Sequence, residues 1–170
     1  TDAIRHAVPD IRHEQIPAYV ERYRHHYLRR DAQLMPFSGI PELLDEIAGQ
    51  GVHLAVATGK SRAGLDRALL QLEWRGRFAT TRCADEGIPK PDPWMLNDIC
   101  EELALEPAEI VMIGDTTHDL GMARAAGARA IAVTYGAHPP EQLSTEPALA
   151  MVETVGGLRQ ALLASLAQGS

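Results

Sequence analysis

The 170-residue sequence predicts an α/β fold built on a mostly parallel sheet with helices on both faces. Two observations carry that expectation. Stripes of apolar residues at helical spacing alternate along the chain with short apolar runs of strand length. Small or polar residues follow several of those runs, so they fall at the carboxyl ends of strands, where open α/β sheets bind their ligands.

The helical stripes come in order. Ile16, Tyr19, Val20, Tyr23 and Tyr27 form the first, and Ile40, Leu43, Leu44 and Ile47 the second, which opens after Ser38-Gly39 and stops before Gly51. Leu65, Ala68, Leu69 and Leu72 form a third, followed by Leu96, Ile99, Cys100 and Leu103, where Asp92-Pro93 supplies a cap and a first-turn proline. Leu158, Leu162 and Leu166 mark a last helix. Between them lie VHLAVAT (52–58), FATTRC (78–83), EIVMIG (109–114) and ARAIAVT (128–134), with a weaker run from Leu149 to Val152. Near-continuous apolar runs are what strands buried on both faces require. Residues 1–36 supply helix and no strand, so they read as a separate helical piece joined through MPFSG (35–39) to an α/β core over 37–170.

Composition narrows the function. A formal net charge of −7 and the lack of a basic stripe argue against nucleic-acid binding. Arg22, Arg24, Arg29 and Arg30 are the densest basic cluster and read as a solvated helix face. No apolar run approaches the length of a membrane span. Cys83 and Cys100 have neither zinc nor C-x-x-C spacing, which suggests a reducing compartment and a cytoplasmic location. The chain opens at Thr1 rather than methionine, which leaves room for residues ahead of it.

The candidate chemistry sits after the runs. Asp115 follows a strand and a glycine, and Asp119 lies four residues on, able to face the same cavity. Two close carboxylates repel unless a cation or proton intervenes, and Mg²⁺ prefers such oxygen ligands together with phosphate and water. The alternative is that Asp115 only caps the following helix and Asp119 is solvated. Thr58, before Gly59, offers a hydroxyl and free amides to a phosphoryl oxygen, although a strand-end threonine is also a common helix cap. Lys90, between prolines in GIPKPDP (87–93), could set an ammonium against carboxylates and an anionic transferring group, or be merely solvated. Gly59-Lys60-Ser61 is not a nucleotide phosphate loop, because Leu54 stands where the first glycine of that motif belongs. The histidines show no metal spacing; His118 is the one near the proposed site and reads as structural or surface. Trp74 and Trp94 read as packing residues.

In their order, Thr58 in LAVATGK, Lys90 in KPDP and Asp115 with Asp119 in GDTTHD resemble three motifs of the haloacid dehalogenase-like hydrolase superfamily. The continuation GMARAAGARAIAVTYGAHPPEQL (121–143) is similar to the phosphoglycolate phosphatase branch, and the resemblance spans most of residues 35 to 160. It implies a Rossmann-like core with the tail of a helical cap in residues 1–36, and a Mg²⁺-dependent phosphomonoesterase acting on a small metabolite such as 2-phosphoglycolate. A homodimer is compatible with it. Thr58 and the Gly59 backbone would bind the substrate phosphate. Lys90 would orient a nucleophilic carboxylate, and Asp115 would bind Mg²⁺. Asp119 would bind the metal too, or support Lys90 from beside it.

The family's nucleophile motif, D-x-D-x-[TV] at the end of a first strand, is not in this sequence: no aspartate has another two residues on. The chain alone is therefore expected to bind metal and phosphate without turning over. Its core is expected to lack that first strand, which would leave a sheet position open. A phosphomutase, a nucleotide or pyrophosphate phosphatase, and a metal- and phosphate-binding pseudoenzyme are the alternatives.

Overall fold

A computed structural model describes residues 12–16, 18 and 34–167. The chain divides into two compact units, residues 1–35 and 36–170. In the first unit His13–Gln15 forms a 3₁₀ turn. The stripe through Tyr19, Val20, Tyr23 and Tyr27, and the cap reading that rests on it, lie outside the described residues.

In the second unit the alternation of helix and strand appears in the expected order. α1 (Ile40–Gly49) enters from Gly39 with a proline in its first turn, and buries Leu43 and Ile47. β1 (Ala55–Thr58) leads to α2 (Arg62–Gln71), and β2 (Thr80–Cys83) to α3 (Trp94–Leu103). A 3₁₀ turn at Pro107–Glu109 precedes β3 (Val111–Gly114), which feeds α4 (Thr117–Ala126). β4 (Arg129–Val133), the short α5 (Pro140–Leu143), β5 (Ala150–Val152) and α6 (Val155–Ala167) complete the order. The strands are shorter than the apolar runs that announced them, because the first residues of each run serve as approach to the ladder. Pro93 precedes α3 instead of opening it, and Asp92 caps it by accepting the Trp94 N–H through Oδ1 at 2.9 Å.

β4 shows why the core has two halves. Alternate residues of a strand face opposite sides. Ala130 and Ala132 join Leu96, Ile99, Leu120 and Met122 of α3 and α4 in one cluster. Ile131 and Val133 join Leu43, Ile47 and Leu158 of α1 and α6 in the other. Ile131 is fully buried; a side chain of that size contributes about 1.5–3 kcal/mol by leaving water.

All strand pairings are parallel, and the described residues form two sheets, β1-β2 and β3-β4-β5. Between them lies an apolar cavity of about 400 Å³. Ala55, Val56 and Ala57 of β1 and Val111, Met112 and Ile113 of β3 wall it.

The outer edge of β2 is treated differently. The Thr81 carbonyl accepts from Arg62 Nη2 and from Arg82 Nη1, both at 3.0 Å. Arg62 is held by a two-pronged pair with Glu86 at 2.8 and 2.9 Å, and Arg82 pairs with Asp98 and Glu102. Charged groups on a strand edge discourage further pairing.

Glu86 gives this region a pH signature. Arg62 holds its carboxyl below the ordinary 4.5, against an opposing effect of burial. A depressed folded pKa adds stability above the unfolded value, lost as pH falls through the folded one. Glu86→Gln should therefore lower the thermal midpoint at neutral pH, with the deficit fading as pH falls below the ordinary carboxyl value of 4.5 and through the lowered one of the folded state. Thermal unfolding from pH 3 to 7 measures it; a deficit independent of pH would show that the ion pair is not its source.

Candidate active site

Lys90 joins the two sheets. A turn closed by the Asp92 N–H on the Pro89 carbonyl, at 3.2 Å, carries it between β2 and α3, and its peptide bond to Pro91 is cis. Its ammonium donates to the Ala57 carbonyl of β1 at 2.7 Å and to Asp119 Oδ1 of α4 at 2.6 Å. The side chains of Lys90 and Asp119 are only 13% and 9% exposed. The expectation of a merely solvated loop lysine is thereby excluded.

Asp119 is saturated. Its second oxygen, Oδ2, accepts from the Thr116 N–H at 3.1 Å and from the Thr116 hydroxyl at 2.7 Å. The same carboxylate thus caps α4 and partners Lys90, with Thr116 as the N-cap residue. Gly114 is what lets β3 end so close to it, since a Cβ there would lie 2.3 Å from the Asp119 Cβ. Of the two roles open to Asp119 in the sequence, this geometry favours support of Lys90.

Asp115 is placed otherwise. It follows β3 directly, is half-buried, and accepts the Ala137 N–H through Oδ2 at 2.9 Å. No described residue donates to its Oδ1. A hard carboxylate oxygen is compatible with Mg²⁺, which takes one or two carboxylates and fills the rest of its shell with phosphate and water. The described residues contain no group of three or more His, Cys, Asp or Glu able to hold a metal. Asp115 alone would therefore not complete a site for the ion.

Thr58 ends β1, and its hydroxyl accepts the Lys60 N–H at 3.1 Å, which leaves the O–H proton free to point elsewhere. Gly59 is exposed. Ser61 caps α2 by accepting the Gly64 N–H at 3.3 Å, a helix-capping role in place of a nucleotide-loop one. Thr58 and Asp119 are linked through Lys90, whose carbonyl partner Ala57 is the residue before Thr58.

Sequence reasoning missed the loop after β4. His138, which the sequence reads as structural or surface, accepts the Thr117 N–H through Nδ1 at 3.2 Å, and its ring lies 6.2 Å from that of His118. The signal was available: YGAH (135–138) follows a strand just as GDTTHD does. Beside it, the Tyr135 hydroxyl is buried with no described partner, and burial together with the Asp115 charge pushes its pKa up. Trp74 packs edge-on to Phe78, in keeping with a packing role.

Breaking the Lys90–Asp119 pair from one side strands a buried charge. Asp119→Ala should cost about 3–5 kcal/mol in urea unfolding, whereas a Lys90→Met/Asp119→Leu double variant should recover most of that loss. A cost below about 1 kcal/mol for Asp119→Ala would mean that solvent screens the pair.

The haloacid dehalogenase-like hydrolase family model matches residues 1–133. Over 157 residues the chain is 36% identical to a probable phosphatase, IndB, of Dickeya dadantii, covering 88% of this chain and 68% of that protein. It is 33% identical to the N-acetylmuramic acid 6-phosphate phosphatase of Pseudomonas aeruginosa, covering 72% of this chain and 54% of the relative. With the phosphoglycolate phosphatase of Thiobacillus denitrificans the identity is 32%, over 72% of this chain and 53% of the relative. The chain thus spans about half to two thirds of the length of these relatives. A haloacid dehalogenase-like hydrolase from Streptococcus pneumoniae superposes with a TM-score of 0.80 at 21% identity, over 93% of this chain and 73% of that one, a likeness of fold. The chain belongs to the haloacid dehalogenase-like hydrolase family.

Proposed function

We propose that this chain is the metal- and phosphate-binding core of a Mg²⁺-dependent phosphomonoester hydrolase that works through an aspartyl-phosphate. The observation that carries the reading is the Lys90 bridge, which ties the strand end bearing Thr58 to the helix that follows Asp115. Phosphoryl transfer asks for positioned positive charge and hydrogen-bond donors around an anion. Thr58 donates its hydroxyl proton to a phosphoryl oxygen, and the Gly59 amide serves the same anion. Lys90, held by Asp119, presents its ammonium to the nucleophilic carboxylate. Asp115 would hold Mg²⁺, which when bound would offset the charge of the phosphoryl oxygens.

In this reading the nucleophile belongs to a strand ending in D-x-D-x-[TV], and the apolar cavity between β1 and β3 supports a position for that strand between them. Its apolar walls suit a strand buried on both faces, and the carboxyl ends of its neighbours carry Thr58 and Asp115. The aspartate oxygen attacks phosphorus, the ester P–O bond breaks, and the second aspartate protonates the leaving alcohol. Water, giving its proton to that same group, then attacks the acyl-phosphate and releases phosphate. Residues 1–36 are then the C-terminal part of a helical cap and 37–170 the core.

The substrate is a small phosphomonoester. Phosphoglycolate is the first choice, on the GMARAAGARAIAVTYGAHPPEQL (121–143) stretch and on the named activity of one relative. N-acetylmuramic acid 6-phosphate competes on the name of another. A cytoplasmic setting is supported by Cys83 and Cys100, both buried and unpaired.

The test joins an apolar strand ending in D-x-D-x-[TV] ahead of Thr1 and measures phosphate release from a panel of phosphomonoesters. Turnover is expected with Mg²⁺ and not in chelator, and Asp115→Ala should lose roughly 100-fold or more. The 170-residue chain alone should release none. Activity that survives chelation or Asp115→Ala would overturn the metal assignment. Saturable phosphate binding without turnover in the extended protein would identify a pseudoenzyme.

A further inference from the structure

We infer that Gly136, Ala137 and His138 form a positioning arm that fixes the orientation of Asp115 from outside the strand that carries it. The inference deepens the phosphohydrolase reading and rests on it for the role of Asp115.

The arm grips Asp115 three ways. The Ala137 N–H donates to Oδ2 of its carboxylate at 2.9 Å, and the His138 N–H donates to its carbonyl at 3.0 Å. The His138 imidazole reaches past it to accept the Thr117 N–H at 3.2 Å. Thr117 is the first residue of α4, and an N–H at that position has no partner within its own helix. The loop therefore binds main chain on both sides of the β3–α4 turn and the side chain at its centre.

Close approach is part of the device. A Cβ on Gly136 would lie 2.2 Å from both the Cβ and Oδ2 of Asp115, so no other residue fits without moving the carboxylate. The root of the arm is firm. The Thr134 N–H donates to the Val152 carbonyl of β5 at 3.0 Å, and Tyr135 packs into the α1–α6 cluster with Phe37 edge-on at 5.0 Å.

A free aspartate samples three χ1 wells. Here one amide holds Oδ2 while glycine clears a single approach, so Oδ1 is aimed and Oδ2 is kept from it. His138 touches neither metal nor substrate in this scheme. It is a positioning residue, acting through Thr117 and the loop, and partners of this kind commonly change metal affinity tenfold or more. The bond to Thr117 uses Nδ1 as acceptor, so the neutral ring carries its proton on Nε2.

The test uses the 170-residue chain and amide NMR, with His138→Leu, which removes the acceptor, and His138→Asn, whose side-chain oxygen can replace it. Gly136→Ala perturbs the arm independently. In the wild type, the Ala137 and Thr117 amides should be protected from exchange. His138→Leu and Gly136→Ala should each speed Ala137 exchange about tenfold or more, with the thermal midpoint of His138→Leu within about 2 °C. His138→Asn should restore it. Mg²⁺ titration, read at the same amides, should show half-saturation raised about tenfold by His138→Leu and returned by His138→Asn.

Unchanged Ala137 exchange in both His138→Leu and Gly136→Ala overturns the arm. So does a loss of protection spread across the whole core with a large fall in midpoint, which would make His138 a structural staple. If the wild-type chain shows no Mg²⁺ response, the metal reading fails, and the exchange data decide the arm by themselves.

Discussion

A single ammonium group holds the functional end of this protein together. Lys90 comes from neither of the strands it serves, yet it bonds a carbonyl of β1 and a carboxylate of α4. With β1 and β3 unpaired among the described residues, that contact is the polar link between the two sheets at their carboxyl ends. Apolar packing through α3, which contacts β1, β2 and α4 and shares one cluster with Ala130 and Ala132 of β4, adds to it. A buried ion pair is a poor source of net stability but a strong determinant of geometry when its remaining hydrogen bonds are satisfied. Thr116 completes the hydrogen bonding of Asp119 and so allows the pair to persist at low exposure.

The two aspartates of GDTTHD illustrate how environment divides identical side chains. Asp119 has both oxygens committed to protein donors. Asp115 has one committed and, among the described residues, one that no donor reaches. The difference follows from which backbone amides and side chains reach each one. The spacing alone left either carboxylate free to take either part.

Much of this was legible beforehand. Helix and strand order follows from periodicity, because β4 is buried on both faces and the helices on one. Thr58, Lys90, Asp115 and Asp119 could be named because polar residues after buried strands stand out against an apolar background. Three things were not legible. The pairing of Asp119 with Lys90 depends on a loop conformation set by long-range packing. The role of His138 depends on contact between residues 21 apart in sequence, which no local pattern encodes. The division into two sheets depends on which strand edges meet, and periodicity carries no record of neighbours.

The arginines on the Thr81 carbonyl have a consequence for how the molecule behaves in crowded solution. An unblocked strand edge is a template on which other chains can add, and here the exposed flank is stoppered by charge. The stopper is ionic and only partly shielded from water, so dissolved salt weakens it. Self-association through this flank is thus held off most firmly in dilute buffer. Apolar attraction is comparatively indifferent to such screening, so the balance between dispersed and aggregated protein shifts with ionic strength at an unchanged fold.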